Sequence, residues 1–293
     1  MHLHLNGKLV PASEAAISPL DRGFLFGDGV YEGLRAVPAP GGGAHVFAMG
    51  RHLDRLRASL REVGISFDPA PLVPWTAELL RAEGLTDAFV YWQVTRGTPG
   101  PNDPPRSRIP PAGLVPTVMG YCSPQPPLSS FVTPPCRRAV TLEDIRWRRG
   151  DIKSTSLMGN ILLTMQAAAA GVDDAIFITP GGLVGEGIAT NVILAFPDGR
   201  IATPAFDSAP ILGGITRAIL LEAAPEIEQR PVRAGELTDA SEVILIGTTT
   251  MVTSVIELDG RTVGGGVPGP VARRLLDLLL GTIRRESGLD ASA

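Results

Sequence analysis

A proline-rich stretch, Cys122-Ser123-Pro124-Gln125-Pro126-Pro127 with Pro134-Pro135 after it, divides the chain. Proline fixes φ and lacks a backbone N–H, so such a stretch neither extends a helix nor fits inside a sheet. A run of this composition acts as a stiff spacer. The reading is two domains, 1–121 and 136–293, joined by a linker over 122–135. Length agrees, since 293 residues make about two domains at roughly 150 residues each.

Hydrophobic periodicity supplies the elements. Before the linker, residues 3–10 read as a strand with an Asn6-Gly7 turn. Val30 to Val37 reads as a strand ending at Pro38 and Gly41-Gly42-Gly43, with His45-Val46-Phe47 as its hairpin partner. Leu53, Leu56, Leu60 and Val63 recur at three- and four-residue steps and predict a helix over 51–65. A shorter helix is expected over 74–82, and apolar strands over 88–95 and 114–121 flank a Pro-rich loop, 98–111. No βαβ rhythm is present, so this part reads as α+β. After the linker, strands are expected at 137–142, 174–179, 191–195, 242–247 and 253–258, with helices at 156–170, 216–224 and 270–286. Many short strands predict an antiparallel or barrel-like sheet with helices outside. The expected fold class is α+β in two domains: a small α/β-sandwich-like first domain and a larger barrel-like second one.

Composition narrows the function. A formal charge of -4 gives no basic field for nucleic acid. No apolar run approaches the roughly 18 residues of a membrane span. Met1-His2-Leu3-His4-Leu5-Asn6-Gly7-Lys8 lacks a signal-peptide layout, and two cysteines make no disulfide scaffold. A cytoplasmic protein is expected, with no nucleic-acid partner, no membrane and no metal site. Among the 26 basic residues only Lys8 and Lys153 are lysine. Arginine carries surface charge equally well, but its guanidinium stays protonated and cannot serve as an amine nucleophile. Lys8 sits in a polar turn. Lys153 follows Arg146, Arg148 and Arg149, and nearby cations favour the neutral amine. A solvated basic loop is the other reading of that segment.

Three further segments complement the lysine. Gly181-Gly182-Leu183-Val184-Gly185-Glu186-Gly187-Ile188-Ala189-Thr190-Asn191 sets one acid among glycines, where backbone can approach a flat ligand; taken alone, the stretch reads better as a turn between two strands. Leu212-Gly213-Gly214-Ile215-Thr216-Arg217 leads into a helix whose first N–H groups suit an anion; ordinary capping by Thr216 is the alternative. Gly247-Thr248-Thr249-Thr250 ends an apolar strand with hydroxyls, although threonine is also a common strand residue. A lysine for an aldehyde, an acid for a pyridine nitrogen and a Gly/Thr cup for a phosphate together describe pyridoxal 5'-phosphate (PLP).

The same residues resemble the class IV PLP-dependent aminotransferases, and within them the D-amino acid aminotransferases. The matching stretches include Asp21-Arg22-Gly23-Phe24-Leu25-Phe26-Gly27-Asp28-Gly29-Val30-Tyr31-Glu32, His52-Leu53-Asp54-Arg55-Leu56, Gln93-Val94-Thr95-Arg96-Gly97-Thr98, Glu143-Asp144-Ile145-Arg146-Trp147, Asp151-Ile152-Lys153-Ser154 and Ile215-Thr216-Arg217. The resemblance implies a ping-pong transaminase acting on D-amino and 2-keto acids, and a homodimer with its active sites near the interface. It implies that Lys153 is the Schiff-base lysine and that Glu186 bonds the pyridine nitrogen. Arg55, Ile215, Thr216 and Thr248 are implied around the phosphate, Tyr31 and Thr249 on the substrate side, and Arg146 beside the cofactor hydroxyl or Tyr31. Arg55 by itself also reads as a helix-surface charge.

One departure concerns the substrate carboxylate. The D-amino acid enzymes grip it with Arg-x-His, whereas the matching stretch here is Pro101-Asn102-Asp103. A carboxylate cannot hold another without a shared proton. Tyr31, Gly33 and Arg35 share one strand face, so Arg35 is the first replacement considered, against a surface charge, with Arg96 behind it. Tyr31-Glu32-Gly33-Leu34-Arg35 also resembles a branched-chain aminotransferase stretch. A branched-chain L-amino acid enzyme, an (R)-selective amine transaminase and an aminodeoxychorismate-type lyase on the same fold therefore stay open.

Overall fold

Strand pairing organises the chain, for which a computed structural model describes residues 1–289. The chain forms two compact units. The first holds Met1–Pro127, Ile152–Leu157 and, among the described residues, those from 285 to 289; the second holds Leu128–Asp151 and Met158–Arg284. The first boundary falls within the expected linker, but the first sheet runs past residue 121.

In the first unit the N-terminal segment is a hairpin, β1 (His2–Leu5) and β2 (Lys8–Pro11). Asn6 and Gly7 turn it with φ of 50° and 84°, the left-handed values that a two-residue hairpin turn requires. Then come α1 (Arg22–Phe26), β3 (Gly29–Pro38), β4 (Ala44–Val46), α2 (Met49–Val63), α3 (Leu72–Glu83), β5 (Ala88–Thr95) and β6 (Thr117–Pro124). The six strands form one antiparallel sheet in the order β2-β1-β6-β5-β3-β4. Alternation along β3 and β5 turns Val30, Leu34, Val90, Trp92 and Val94 into a core with Leu53, Leu56 and Leu60 of α2 and Leu79 of α3. Burying one such leucine contributes about 1.5–3 kcal/mol. The Trp92 indole N–H donates to Thr76 Oγ1 at 2.8 Å, so the largest core side chain has its polar atom satisfied.

Ile152–Leu157 belongs to this unit, which corrects the expected assignment of Lys153 to the second domain. Ile152 joins the core of the first sheet, and Ser154 bridges to Val30. Thr155 Oγ1 donates to the carbonyls of Gly27 and Gly29 at 2.9 and 3.1 Å.

The second unit contains β7 (Cys136–Glu143), α4 (Met158–Ala169), β8 (Asp174–Ile178), β9 (Val184–Gly187), β10 (Asn191–Ala195), β11 (Ile201–Pro204), α5 (Ile215–Ala223), β12 (Ile227–Arg230), α6 (Glu236–Asp239), β13 (Glu242–Gly247), β14 (Met251–Leu258), β15 (Arg261–Thr262) and α7 (Pro270–Ser287), whose last residues pass to the first unit. Its sheet runs β12-β11-β10-β13-β14-β7-β8-β9, with β15 beside β14. It is mixed, because β11–β12, β14–β7 and β7–β8 are parallel pairs. It curls, since β9 lies against β10 although the two are far apart along the sheet. Val192, Leu194, Val243, Leu245 and Val255 fill the interior of the curl. Among the described residues no helix is long and apolar enough to cross a membrane.

Candidate active site

In the first unit, Lys153 has its backbone fixed on both sides. Its N–H donates to Ser59 Oγ at 3.3 Å, and its carbonyl accepts from the Tyr31 N–H at 2.9 Å. The side chain lies over Tyr31, with Nζ 4.3 Å from the ring centroid. Tyr31 stacks on Tyr91 at 5.5 Å, and Tyr91 on Tyr121 at 5.2 Å, so the three tyrosines of the chain form one file across β3, β5 and β6. Burial, then the neighbouring Tyr31 and Tyr121, pushes the Tyr91 phenol up, and its O–H donates to Gln93 Oε1 at 2.9 Å.

Arg55 is placed by an acid on the helix-facing side of β3. Its Nε and Nη2 donate to the two Glu32 oxygens at 2.7 and 2.8 Å, a fork-to-carboxylate geometry. His52 Nδ1 lies 2.8 Å from Glu32 Oε2. Burial pushes the Glu32 carboxyl up, but the Arg55 charge and the bonds from Arg55 and His52 outweigh it and bring the group to about 2. Sequence reasoning gave Glu32 no role. The available signal was the alternation Val30-Glu32-Leu34-Ala36, which puts a carboxylate on a buried face opposite His52 and Arg55, one helical turn apart.

Two expected substrate contacts are corrected. Arg35 is buried, and its Nη2 donates to the Pro126 carbonyl. The alternation with Tyr31 is right, but the guanidinium is drawn to backbone at the edge of the sheet. Arg96 donates to both Asp28 oxygens at 2.8 and 2.9 Å and to the carbonyls of Val63 and Gly64 at 2.7 and 2.8 Å. It clamps the start of β3 to the end of α2. Arg22 also bonds Asp28, at 2.7 Å; despite burial, these two arginines hold that carboxyl below its usual range.

In the second unit, Glu186 on β9 is surrounded by donors. Arg146 Nη1 donates to Glu186 Oε1 at 2.5 Å, and the Leu212 N–H to Oε2 at 2.9 Å. Asn191 Nδ2 reaches Oε2 at 3.4 Å and the Leu212 carbonyl at 3.0 Å. Arg146 is itself gripped by Asp144 through Nε at 2.9 Å and Nη2 at 2.8 Å. Burial disfavours its charge, but these two acids hold it above the usual arginine range. Arg149 pairs with Asp151 at 2.7 Å. These two arginines, expected to crowd Lys153, are thus held by carboxylates of their own unit. Asp144, Asn191 and Leu212 lay inside the motifs but were given no role, because their spacing reveals no partner.

The loop that bonds Glu186 runs directly into α5. Gly214 is the N-cap and no side chain caps the helix, so Thr216 lies inside the first turn rather than capping it. Glu186, Ile215 and Thr216 are thereby brought together. Thr248 and Thr249 lie in the turn between β13 and β14, and Gly247 at its start sits near the Ala189 carbonyl and Thr190. A Cβ on Gly214 would lie 2.0 Å from Asn191 Oδ1. Gly214→Ala is therefore expected to push Asn191 off Glu186 and to destabilise the protein by about 1–3 kcal/mol, as read by urea denaturation.

Residues 29–258 match the amino-transferase class IV family. The chain belongs to the class IV aminotransferases. A D-alanine aminotransferase of Bacillus licheniformis is 36% identical over 98% of this aminotransferase and 99% of its own length. A putative branched-chain-amino-acid aminotransferase of Methanocaldococcus jannaschii is 32% identical over 94% of each chain. Among solved structures, the branched-chain aminotransferase of the thermophilic archaeon Thermoproteus uzoniensis with norvaline superposes with a TM-score of 0.83 at 26% identity, covering 97% of this chain and 96% of that one. Class IV members are PLP-dependent enzymes, and so is this aminotransferase.

Proposed function

We propose that this aminotransferase is a cytoplasmic homodimer that moves an amino group between a D-amino acid and a 2-keto acid by a ping-pong route, with PLP held by Lys153. The observation that carries the reading is Lys153 itself. One of two lysines in the chain, it has its backbone pinned to Ser59 and Tyr31 and its amine laid over the Tyr31 ring. The donor sets suit the cofactor: an amine at Lys153, an oriented carboxylate at Glu186, a helix start without a side-chain cap at Ile215 and Thr216, and an oriented guanidinium at Arg55.

Bound PLP supplies an aldehyde and a ring that draws electrons from the substrate α-carbon. Lys153 Nζ takes the proton from that carbon and returns it on the other side of the exchange. Glu186 holds the proton at the ring nitrogen. In the second unit the Ile215 and Thr216 N–H groups and the Thr248 hydroxyl would hold the phosphate, and in the first unit Arg55 would offer the guanidinium that the family resemblance assigns to it. Tyr31 would orient the lysine amine towards substrate, and Thr249 would contribute a hydroxyl to substrate.

The 36% identity to the D-alanine enzyme supports the D-amino acid reading. The 32% identity to the archaeal branched-chain relative favours the second reading, an L-amino acid enzyme. Arg35 bonds the Pro126 carbonyl, Arg96 bonds Asp28, and Asp103 Oδ2 accepts from the Gly100 N–H at 2.9 Å. A half-reaction screen separates the readings. Yellow PLP-loaded protein is mixed with D-alanine, D-glutamate, L-leucine, L-glutamate or (R)-1-phenylethylamine. Bleaching by the D-amino acids is expected. Bleaching by the L-amino acids alone establishes the branched-chain reading, and pyruvate release without a keto acid acceptor marks a lyase.

A further inference from the structure

The first unit holds a cavity of about 400 Å³, within the roughly 300–1,000 Å³ of small-molecule sites. Its floor is made by Gln93 and Thr95 of β5 and Thr117 and Met119 of β6. Strand alternation turns these four away from the core that Trp92, Val94 and Val118 join. The segment leading into α1 makes the facing wall, with Ile17, Asp21 and Phe24. Gly23 brings α1 close to the floor, since a Cβ there would lie 2.2 Å from Thr95 Cγ2. Ile17 and Phe24 stand 47% and 78% exposed, so the wall is apolar and open at its rim.

One row of the sheet joins this cavity to Lys153. Tyr31 pairs with Gln93, and Gln93 with Met119. Residues directly opposite in antiparallel strands share a face, and neighbouring strands lie about 4.8 Å apart. The Lys153 amine lies over the Tyr31 ring. A molecule held at that amine therefore meets Gln93 one strand on and Met119 two strands on. Gln93 Oε1 accepts from the Tyr91 hydroxyl, while Nε2 takes no partner among the described residues. The charge at the wall is of one sign: Asp21 lines the cavity, and no Lys, Arg or His does. Buried Asp21 accepts from the Gly23 N–H at 2.8 Å and from the Thr117 hydroxyl at 2.6 Å, so both its oxygens are held in place. A second carboxylate brought into this space meets repulsion with no cation to offset it. An uncharged chain meets Ile17, Phe24 and Met119, and the flexible thioether of Met119 adapts to its shape. A thioether or amide oxygen on that chain gives Gln93 Nε2 its acceptor.

We propose that this cavity receives the side chain of the substrate, and that Gln93 and Met119 select long uncharged side chains over short or acidic ones. This rests on the transamination reading with Lys153 and names its substrate class; it holds for either enantiomer.

Stopped-flow bleaching of the PLP-loaded protein tests it, with the D-forms of methionine, alanine and glutamate, or the L-forms where only those bleach. At equal concentration the wild type is expected to bleach at least about tenfold faster with methionine than with either of the others. Met119→Trp, which fills the cavity, is expected to lower the methionine-to-alanine rate ratio by about tenfold or more. Gln93→Arg, which sets a cation in the floor, is expected to raise the glutamate-to-methionine ratio by a similar factor. Far-ultraviolet circular dichroism checks that the variants are folded. Thermal unfolding reads the cavity without turnover: hexanoate, which has no amine, is expected to raise the wild-type Tm more than glutarate does, and to raise that of Met119→Trp less. Should neither variant fold, the wild-type ratios and the wild-type thermal shifts decide. A wild type that bleaches as fast with glutamate or alanine as with methionine overturns the inference, as do folded variants that keep the wild-type ratios, or a hexanoate shift no larger than that of glutarate. Bleaching by no amino acid, beside a hexanoate shift that Met119→Trp loses, would sink the transamination reading and leave the cavity assignment standing.

Discussion

Lys153→Ala is expected to lose turnover and bleaching by about 10⁴-fold or more, the upper end of what one positioned proton-transfer group contributes. The loss has two parts, because the same amine both holds the cofactor and moves the α-carbon proton. Lys153→Arg is expected to fail as completely, since a guanidinium keeps its proton. Neither change should unfold the protein. The bonds to Ser59 and Tyr31 are made by the Lys153 backbone, and the described side-chain contact is with the Tyr31 ring. Stopped-flow absorbance measures the half-reaction, and borohydride reduction with peptide mapping locates the adduct on wild type. Bleaching at the wild-type rate in Lys153→Ala would overturn the assignment.

Glu32→Ala is expected to have the largest effect on stability. The carboxylate is buried and takes two bonds from Arg55, with His52 beside it. Removing it strands a largely buried guanidinium, which costs about 3–5 kcal/mol. The wild type should also show an acid dependence that Glu32→Gln lacks. The folded Glu32 group lies at about 2, below its ordinary 4.5. Its contribution is therefore complete above about pH 4.5 and is lost as pH falls towards 2, for a total of about 3 kcal/mol. Urea midpoints at pH 7 and pH 3 measure both effects. Equal pH dependence in wild type and Glu32→Gln would show that the Arg55–His52 cluster does not hold the carboxylate.

What the amino-acid pattern made legible was local. The three-and-four spacing of Leu53, Leu56 and Leu60 located α2, alternation located β3 and β5, and Asn6-Gly7 marked the first turn. The scarcity of lysine singled out Lys153. Arg35 and Arg96 show where such reasoning stops. Strand alternation gives the face from which a guanidinium leaves but not the carbonyl or carboxylate that captures it, since Pro126 lies 91 residues from Arg35 and Asp28 lies 68 from Arg96.

The sequence by itself determined the class of chemistry, because only an amine with the right neighbours can take a carbonyl cofactor, and residue types carry that information without coordinates. Tertiary structure alone decided which unit holds Lys153, which acids orient Arg55 and Arg146, and that Gln93 stands beside Tyr31 at the floor of a cavity. Those outcomes depend on contacts between residues distant along the chain, and a hydrophobic period of 3.6 or 2 cannot say what lies opposite the face it creates.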